Sequence, residues 1–475
     1  MLAQWDNNAR RLNGICLTTN GRDMAHPQID NRTLFTGDNL EVMRALNSES
    51  VDLIYLDPPF NKKFVFPIGK GDNKEFGYKD IWGWNSAADE RNPFLPYAEL
   101  YAFDELVSAQ NNGNPLIEHA MAKRIVRFLE TMGEIAGHAE MAYLSFMAAR
   151  LVEMRRLLKP TGSIYLHCDP TMSHSLKLLM DIIFGNGNDY VGFRNEITWK
   201  RYRGKRSGTK YIYCSVVDSI FFYGMSKASK FITPFVPLHE EYVRKTYKYD
   251  DDDGLGPYRY GGRIRSRKYY LVNSKGIPIT SLWDDVNELN GTTREATGYP
   301  TQKPIALLER IIAASSSEGD FVLDPFCGCA TTCIAAERLN RNWCGIDVAS
   351  HAADLVSKRL EDELTQGTLG DKVPIIRHRK FDEGDCPMRT DLGETRSKNI
   401  KRLLYGQQKG ECNLCKRHFE MHDFHIDHIT PKSKGGPNVD RNLQLLCGSC
   451  NTIKGTRSME IARNRLRELG YIKAA

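Results

Sequence analysis

The chain has 475 residues, 41% of them hydrophobic and 26% charged, with a net charge of +6 and 12 cysteines. That length exceeds one ordinary core, so two or more domains are expected. No apolar run reaches the roughly 18–20 residues of a membrane span, and the start (Met1-Leu2-Ala3-Gln4-Trp5) lacks the basic and apolar segments of a signal peptide, so a cytoplasmic protein is expected.

The first regular stretch is Arg32 to Asn61, RTLFTGDNLEVMRALNSESVDLIYLDPPFN. Thr33–Phe35 reads as a strand, Leu40–Leu46 has helical spacing, and Val51–Leu56 is an apolar strand that stops at Asp57. From Lys62 to about Gly137 the pattern weakens into a loop-rich insertion. An amphipathic helix over Ala142–Leu158 is closed by Lys159-Pro160-Thr161-Gly162, then a strand (Ser163–His167) and a helix (Ser173–Phe184) follow. Ile197–Tyr213 interleaves bases with aromatics, Val216–Tyr223 is strand-like, and Ser226–Gly298 is irregular. Regularity resumes with a helix (Ile305–Ser315), a strand (Phe321–Leu323), a helix (Thr331–Leu339) and a strand (Trp343–Ile346). Strands alternating with helices predict an α/β fold with a mainly parallel sheet. The expected division is a domain over 1–365, a polar, Gly/Pro-punctuated linker over 366–397, and a small Cys/His-rich module over 398–475.

In open α/β sheets ligands bind beyond the carboxyl ends of the strands. Three apolar strands end in acids: Asp57, Asp324 and Asp347. After Asp324, Gly328 removes a Cβ where a ligand can approach, and the next helix offers free N–H groups. Asp347, about 20 residues on, suits the hydroxyls of a ribose. The loop lacks the GxGxxG of a dinucleotide fold, and by itself it is equally an ordinary tight turn. Asp57-Pro58-Pro59-Phe60 is rigid and lacks donors at its prolines, leaving only acceptors beside an aromatic plane. Such a site suits an exocyclic amine, though four residues alone are equally a Pro-rich turn.

Together these pieces resemble the beta class of DNA amino-methyltransferases, over about residues 30–360. Asp57-Pro58-Pro59-Phe60 matches the family's catalytic signature, and Asp324-Pro325-Phe326-Cys327-Gly328 matches its S-adenosylmethionine loop, in the order that defines the class. Gly37-Asp38-Asn39, Lys159–Gly162, Asp218–Tyr223, Trp283-Asp284-Asp285 and Thr301-Gln302-Lys303-Pro304 are further matches. The resemblance implies a Rossmann-like methyltransferase fold and methyl transfer to N6 of an adenine flipped out of double-stranded DNA. It implies that Asp57 and the Pro58 carbonyl accept the amine hydrogens, Pro59 stiffens the loop, and Phe60 stacks on the base. It also implies that Asp38, Thr301, Lys303, Asp324, Phe326, Gly328 and Asp347 hold the cofactor. One departure is Ala330, where the family usually has glycine. Alanine there costs little at negative φ and more in the left-handed region. N4 of cytosine is the alternative target, and an RNA or protein methyltransferase is a third reading.

Lys200, Arg201, Arg203, Lys205, Arg206 and Lys210, among aromatics, form one candidate phosphate-contacting cluster, and Arg263, Arg265, Arg267 and Lys268 another. By resemblance, target recognition falls within about 226–298.

Near the C-terminus, Cys412/Cys415 and Cys447/Cys450 are two CxxC knuckles, a spacing that forms a closed, structural zinc site. Between and after them, His425-Ile426-Asp427-His428, Lys434-Gly435-Gly436, Asn442 and Asn451 resemble HNH nucleases over about 398–456. The resemblance implies a ββα-metal module in which His428 activates water, Asp427 and Asn451 hold Mg²⁺, and Asn442 braces the loop. A rival reading pairs the first CxxC with His425 and His428 around zinc. Two functions remain in competition, in a restriction-modification or phage/host modification role: a methyltransferase that also cuts DNA, and one whose module only binds it. The sequence leaves the oligomeric state open, a homodimer included.

Overall fold

In a computed structural model, the described residues are 29–60, 64–68, 75–80, 115–185, 191–201, 211–261, 267–289, 293–348, 352–365, 375–380, 401–431, 433 and 442–472, less a few single positions inside these ranges. The strands are β1 (Thr33–Thr36), β2 (Val51–Leu56), β3 (Phe64–Ile68), β4 (Glu75–Asp80), β5 (Leu158–Cys168), β6 (Gly192–Lys200), β7 (Val217–Gly224), β8 (Phe235–Val236) and β9 (Tyr258–Gly261). They continue with β10 (Arg267–Tyr270), β11 (Ile277–Pro278), β12 (Leu282–Trp283), β13 (Phe321–Asp324), β14 (Asn342–Asp347), β15 (Arg377–Lys380), β16 (Phe424–His428) and β17 (Leu443–Cys447). The principal helices are α1 (Asn39–Arg44), α2 (Pro115–Ala136), α3 (His138–Leu157), α4 (Ser173–Phe184), α5 (Glu240–Thr246), α6 (Ile305–Ser315), α7 (Thr331–Arg338), α8 (Ala352–Thr365), α9 (Gly448–Lys454) and α10 (Met459–Glu468).

Nine strands form one sheet in the order β12-β6-β7-β5-β2-β13-β14-β1-β15. Every pairing in it is parallel except those of β7, which runs antiparallel to β5 and β6. The central strand β2 shows why helices cover both faces. Ile54 and Leu56 join one apolar cluster with residues of α1 to α4, while Leu53 and Tyr55 join a second with residues of α6, α7 and α8. Val51 falls out of strict alternation because the pairing with β5 shifts register between Val51 and Leu53. This is the α/β fold expected from the sequence, with a mainly parallel sheet.

Four local expectations change. The stretch read as loop-rich contains α2, whose stripe Met121, Ile125 and Leu129 is buried but narrow, with charged residues between its members. Proline opens this helix at a position where no N–H is needed. Lys159–Gly162, read as a helix closure, belongs to β5. The irregular 226–298 region carries two short two-stranded ribbons, β8 with β11 and β9 with β10. Arg377–Lys380, placed in the linker, adds an edge strand beside β1. Apart from residues 375–376, the rest of that linker, the first 28 residues, and Lys434-Gly435-Gly436 lie outside the described residues. Among the described residues no helix is long and apolar enough to cross a membrane.

The C-terminal module is a β16–β17 hairpin followed by α9 and α10, around its own cluster of Leu404, Leu414, Phe424, Leu445, Leu446 and Leu466. This is the ββα arrangement expected there.

Candidate functional site

The parallel strands β2, β13, β14 and β1 lie side by side, so their carboxyl ends share one edge of the sheet. At that edge a cavity of about 400 Å³ is lined by Asp57, Asp324 and Asp347, within the usual range for a small-molecule site. Asp38, Thr301, Lys303, Phe326 and Gly328 also line it, so the structure brings together all the residues expected to hold a cofactor. Of the Asp57–Phe60 loop, Asp57 and Pro59 line the cavity, whereas Phe60 is buried away from it.

Each carboxylate is held differently. Asp38 caps α1 by accepting from the Leu40 N–H at 2.8 Å, and Arg150 Nη2 reaches both its oxygens at 2.8 and 3.0 Å. Arg150 also donates through Nε to Asn39 Oδ1 at 2.6 Å, and Asn39 Nδ2 donates to the Pro325 carbonyl at 2.7 Å. Burial lowers the Arg150 guanidinium to about 10, with Asp38 opposing the shift. Asp57 Oδ2 accepts from Lys303 Nζ, which lies 5.7 Å from the Phe60 ring centre. Asp57 Oδ1 is buried and has no hydrogen-bond partner among the described residues. Such an atom is costly unless a ligand meets it. Asp324 accepts from the Phe326 N–H at 3.1 Å and from the Thr332 hydroxyl. Burial nonetheless pushes its carboxyl up to about 7. Asp347 Oδ2 accepts from the Gly328 N–H at 2.8 Å.

The loop between β13 and α7 is tight. Gly328 has φ +49°, and a Cβ there would meet the Tyr299 ring at 3.1 Å. Gly345 on β14 admits the Cys327 side chain, whose Sγ would lie 3.0 Å from an added Cβ. Ala330 adopts φ 52°, ψ 40°, the left-handed region. Alanine in place of the family's glycine is therefore strained, by about 1–2 kcal/mol. Thr301, on the cavity wall, also has positive φ (65°). Strain of this kind gathers at functional sites.

Sequence reasoning missed Arg150, Phe146, Tyr55 and Tyr299, which also line the cavity. Arg150 sits in a helix that reads as ordinary and amphipathic; a lone arginine on its buried face was the available signal. Of the basic clusters, Lys200, Arg201, Arg267 and Lys268 are described, and Arg203, Lys205, Arg206, Lys210, Arg263 and Arg265 lie outside the described residues. Lys268 is paired with Asp251 of the neighbouring acidic run.

In the C-terminal module the Sγ atoms of Cys412, Cys415, Cys447 and Cys450 all lie within 4.8 Å of one another. Tetrahedral Zn–S bonds would set thiolates about 3.8 Å apart, and Cys415 and Cys447 are at 4.0 Å. The set fits zinc, and it uses both knuckles without His425 or His428. Asn442 clamps the turn after His428, accepting from the Thr430 N–H at 2.8 Å and donating to its carbonyl at 3.0 Å. Asp427 Oδ2 accepts from Gln444 Nε2 at 2.9 Å and lies 2.8 Å from the buried Lys454 Nζ, which also donates to the His428 carbonyl at 2.6 Å. Asn451 lies on α9, which follows the hairpin directly.

Residues 51–358 match the family of N6 and N4 methyltransferases described as DNA methylases, and residues 412–457 match the HNH endonuclease family. The chain belongs to the DNA methylase family. It carries an HNH domain at its C-terminal end. It is similar to the Type II methyltransferase M.EcaI of Enterobacter cloacae, 33% identical over 49% of this chain and 60% of that one. It is also similar to the Mod subunit of the Type III restriction-modification enzyme StyLTI of Salmonella typhimurium, 26% identical over 67% of this chain and 51% of that one. The matched region thus spans about half to three fifths of these relatives' length. Among solved structures the PvuII DNA methyltransferase (cytosine-N4-specific) aligns at 15% identity and TM-score 0.35, covering 71% of this chain and 92% of that one; a likeness this loose carries no argument.

The raised carboxyl of Asp324 makes the methylase domain's stability fall with pH. Between about 4, where the unfolded chain ionises, and about 7, where the folded one does, the unfolded chain binds fewer protons. The penalty accumulates across that window and is constant above it. The wild-type melting temperature, measured without ligand, is expected to fall relative to that of Asp324→Asn from pH 4 to 7. Parallel profiles would refute the assignment.

Proposed function

We propose that this chain transfers a methyl group from S-adenosylmethionine to N6 of an adenine flipped from double-stranded DNA, and that its HNH module cuts DNA with Mg²⁺. The observation that carries the first half is Asp57: one oxygen on Lys303, the other buried and unpartnered at the cavity. When bound, S-adenosylmethionine supplies an electrophilic methyl on a sulfonium. The rest is the work of the chain. Asp57 Oδ1 and the Pro58 carbonyl accept the two N–H bonds of the target amine, which favours a pyramidal nitrogen with its lone pair free. An amine held in this way would itself be the nucleophile, so no cysteine need act as one. Asp347 suits the ribose hydroxyls, Asp324 and Asp38 the polar end of the ligand, and Phe326 its apolar surface. Stacking of Phe60 on the base requires the loop to shift, because the ring is buried away from the cavity. The Asp-Pro-Pro-Phe form favours adenine N6 over cytosine N4.

In the HNH module His428 acts as general base and Asn442 braces its loop, with Asp427 and Asn451 as the groups for Mg²⁺. The four cysteines hold a structural zinc. One observation favours the competing reading, a module that only binds DNA: Asp427 Oδ2 is already engaged by Lys454 and Gln444. The names of the relatives suit a restriction-modification role.

Three measurements test this. Asp57→Ala is expected to lower methyl transfer about 10²–10³-fold, with product nucleosides from wild type read as N6-methyladenine by mass spectrometry. N4-methylcytosine would move the assignment to the alternative target, and unaltered transfer by the variant would sink the role of Asp57. Wild type is expected to cleave plasmid with Mg²⁺, and His428→Ala to lose about 10²–10⁴-fold of that rate; no cleavage of modified or unmodified DNA by either leaves the binding-only reading standing. Native mass spectrometry should find one zinc per chain, lost in Cys450→Ser, and a metal-free chain would exclude the zinc site.

A further inference from the structure

A buried polar chain crosses the sheet behind the Asp57–Phe60 loop, outside the motifs that define the cavity. His167, at the end of β5, has no exposed surface. One ring nitrogen, Nδ1, lies 2.9 Å from the Tyr55 hydroxyl, and the other, Nε2, lies 3.0 Å from Asp218 Oδ2. Asp218 on β7 is itself buried, and its Oδ1 lies 3.2 Å from Arg201 Nε. The four residues thus step across β2, β5, β7 and the end of β6, which are consecutive in the sheet.

The chemistry sets a direction along this chain. An ionised carboxylate only accepts, so the imidazole proton facing Asp218 is on Nε2. In the neutral ring Nδ1 is then the acceptor, and the Tyr55 hydroxyl donates to it. Burial opposes the charge on Asp218, yet His167 and Arg201 outweigh it and hold the carboxyl below its usual range. Burying such groups only to hold strands together is a poor bargain, since apolar residues of similar volume would do as well or better.

Both ends of the chain reach functional ground. Tyr55 is two residues before Asp57 and lines the same cavity. The imidazole also faces the Phe60 ring, with centres 6.5 Å apart and planes inclined by 30°, and meets Trp199 edge-on at 5.5 Å. At the other end, Arg201 directly follows β6, within the basic stretch that begins in sequence at Lys200.

We propose that His167 and Asp218 are positioning residues for methyl transfer: through Tyr55 and the Phe60 ring they set the target-base side of the Asp57 loop, with Arg201 holding Asp218 at the far end. The inference rests on the methyltransferase reading above. A positioning role acts on the base and not on the cofactor, which separates it from simple support of the sheet.

Tyr55→Phe, His167→Gln and Asp218→Asn test it, the first removing a single hydroxyl at constant volume. Single-turnover transfer to duplex DNA, S-adenosylmethionine affinity by calorimetry, and fluorescence of 2-aminopurine at the target position are measured for each. The expected result is a transfer rate lowered about 10²-fold, a changed 2-aminopurine signal and, in His167→Gln and Asp218→Asn, which do not line the cavity, cofactor affinity within about twofold of wild type. Asp218→Asn, which keeps an acceptor for His167, should retain more activity than Asp218→Ala. Wild-type rates in Tyr55→Phe and the folded variants, or equal losses in rate and cofactor affinity, overturn the proposal. If His167→Gln does not fold, Tyr55→Phe alone decides. An inactive wild type would instead sink the methyltransferase reading and this one with it.

Discussion

Parallel pairing of β2, β13, β14 and β1 crowds Asp38, Asp57, Asp324 and Asp347 around one cavity. Four carboxylates in a partly desolvated space repel one another, and each must be answered locally. Arg150 answers Asp38, Lys303 answers Asp57, and the Gly328 N–H answers Asp347. Asp324, the most enclosed, accepts among the described residues from a hydroxyl and an N–H, and burial outweighs them and raises its carboxyl. The neighbouring backbone follows from the same crowding: Gly328 turns where Tyr299 leaves no room for a Cβ, and Ala330 accepts a left-handed conformation at the start of α7.

Within this arrangement Asp57 differs from the other three. Its cation occupies one oxygen and leaves the second buried and available, an acceptor prepared in advance for a donor that the ligand brings. The apolar clusters on the two faces of the sheet keep β2 in place, and the polar chain through His167 fills the space on the side away from the loop between β13 and α7. The Asp57–Phe60 loop is thus braced by charge on one side and by hydrogen bonds on the other.

The C-terminal module solves a different problem. Its apolar cluster is small, built from a hairpin and two short helices, and four thiols close it at one end. A metal bound there would supply the order that a larger core provides elsewhere. The buried Lys454 ties Asp427 to the His428 backbone, linking the hairpin to α9.

Much of this was legible in the chain itself. Strands that end abruptly in acid, a helix pattern after a Gly-containing loop, and paired CxxC knuckles are local signals, because strand length, turn chemistry and ligand spacing are set by near neighbours. They were enough to place the cavity wall and the thiol cluster by residue number. What they could not show depends on residues far apart in sequence: Arg150 reaches Asp38 across 112 positions, Lys303 reaches Asp57 across 246, and His167 bonds Tyr55 and Asp218 from either side. Helix α2, with its narrow apolar stripe, and the edge strand β15 take their place only against partners already folded. Local patterning along the chain sets which chemistries are present and the order of the elements that carry them. Which charges meet follows from the folded sheet, because a carboxylate's partner is chosen by strand register and not by its neighbours in the chain.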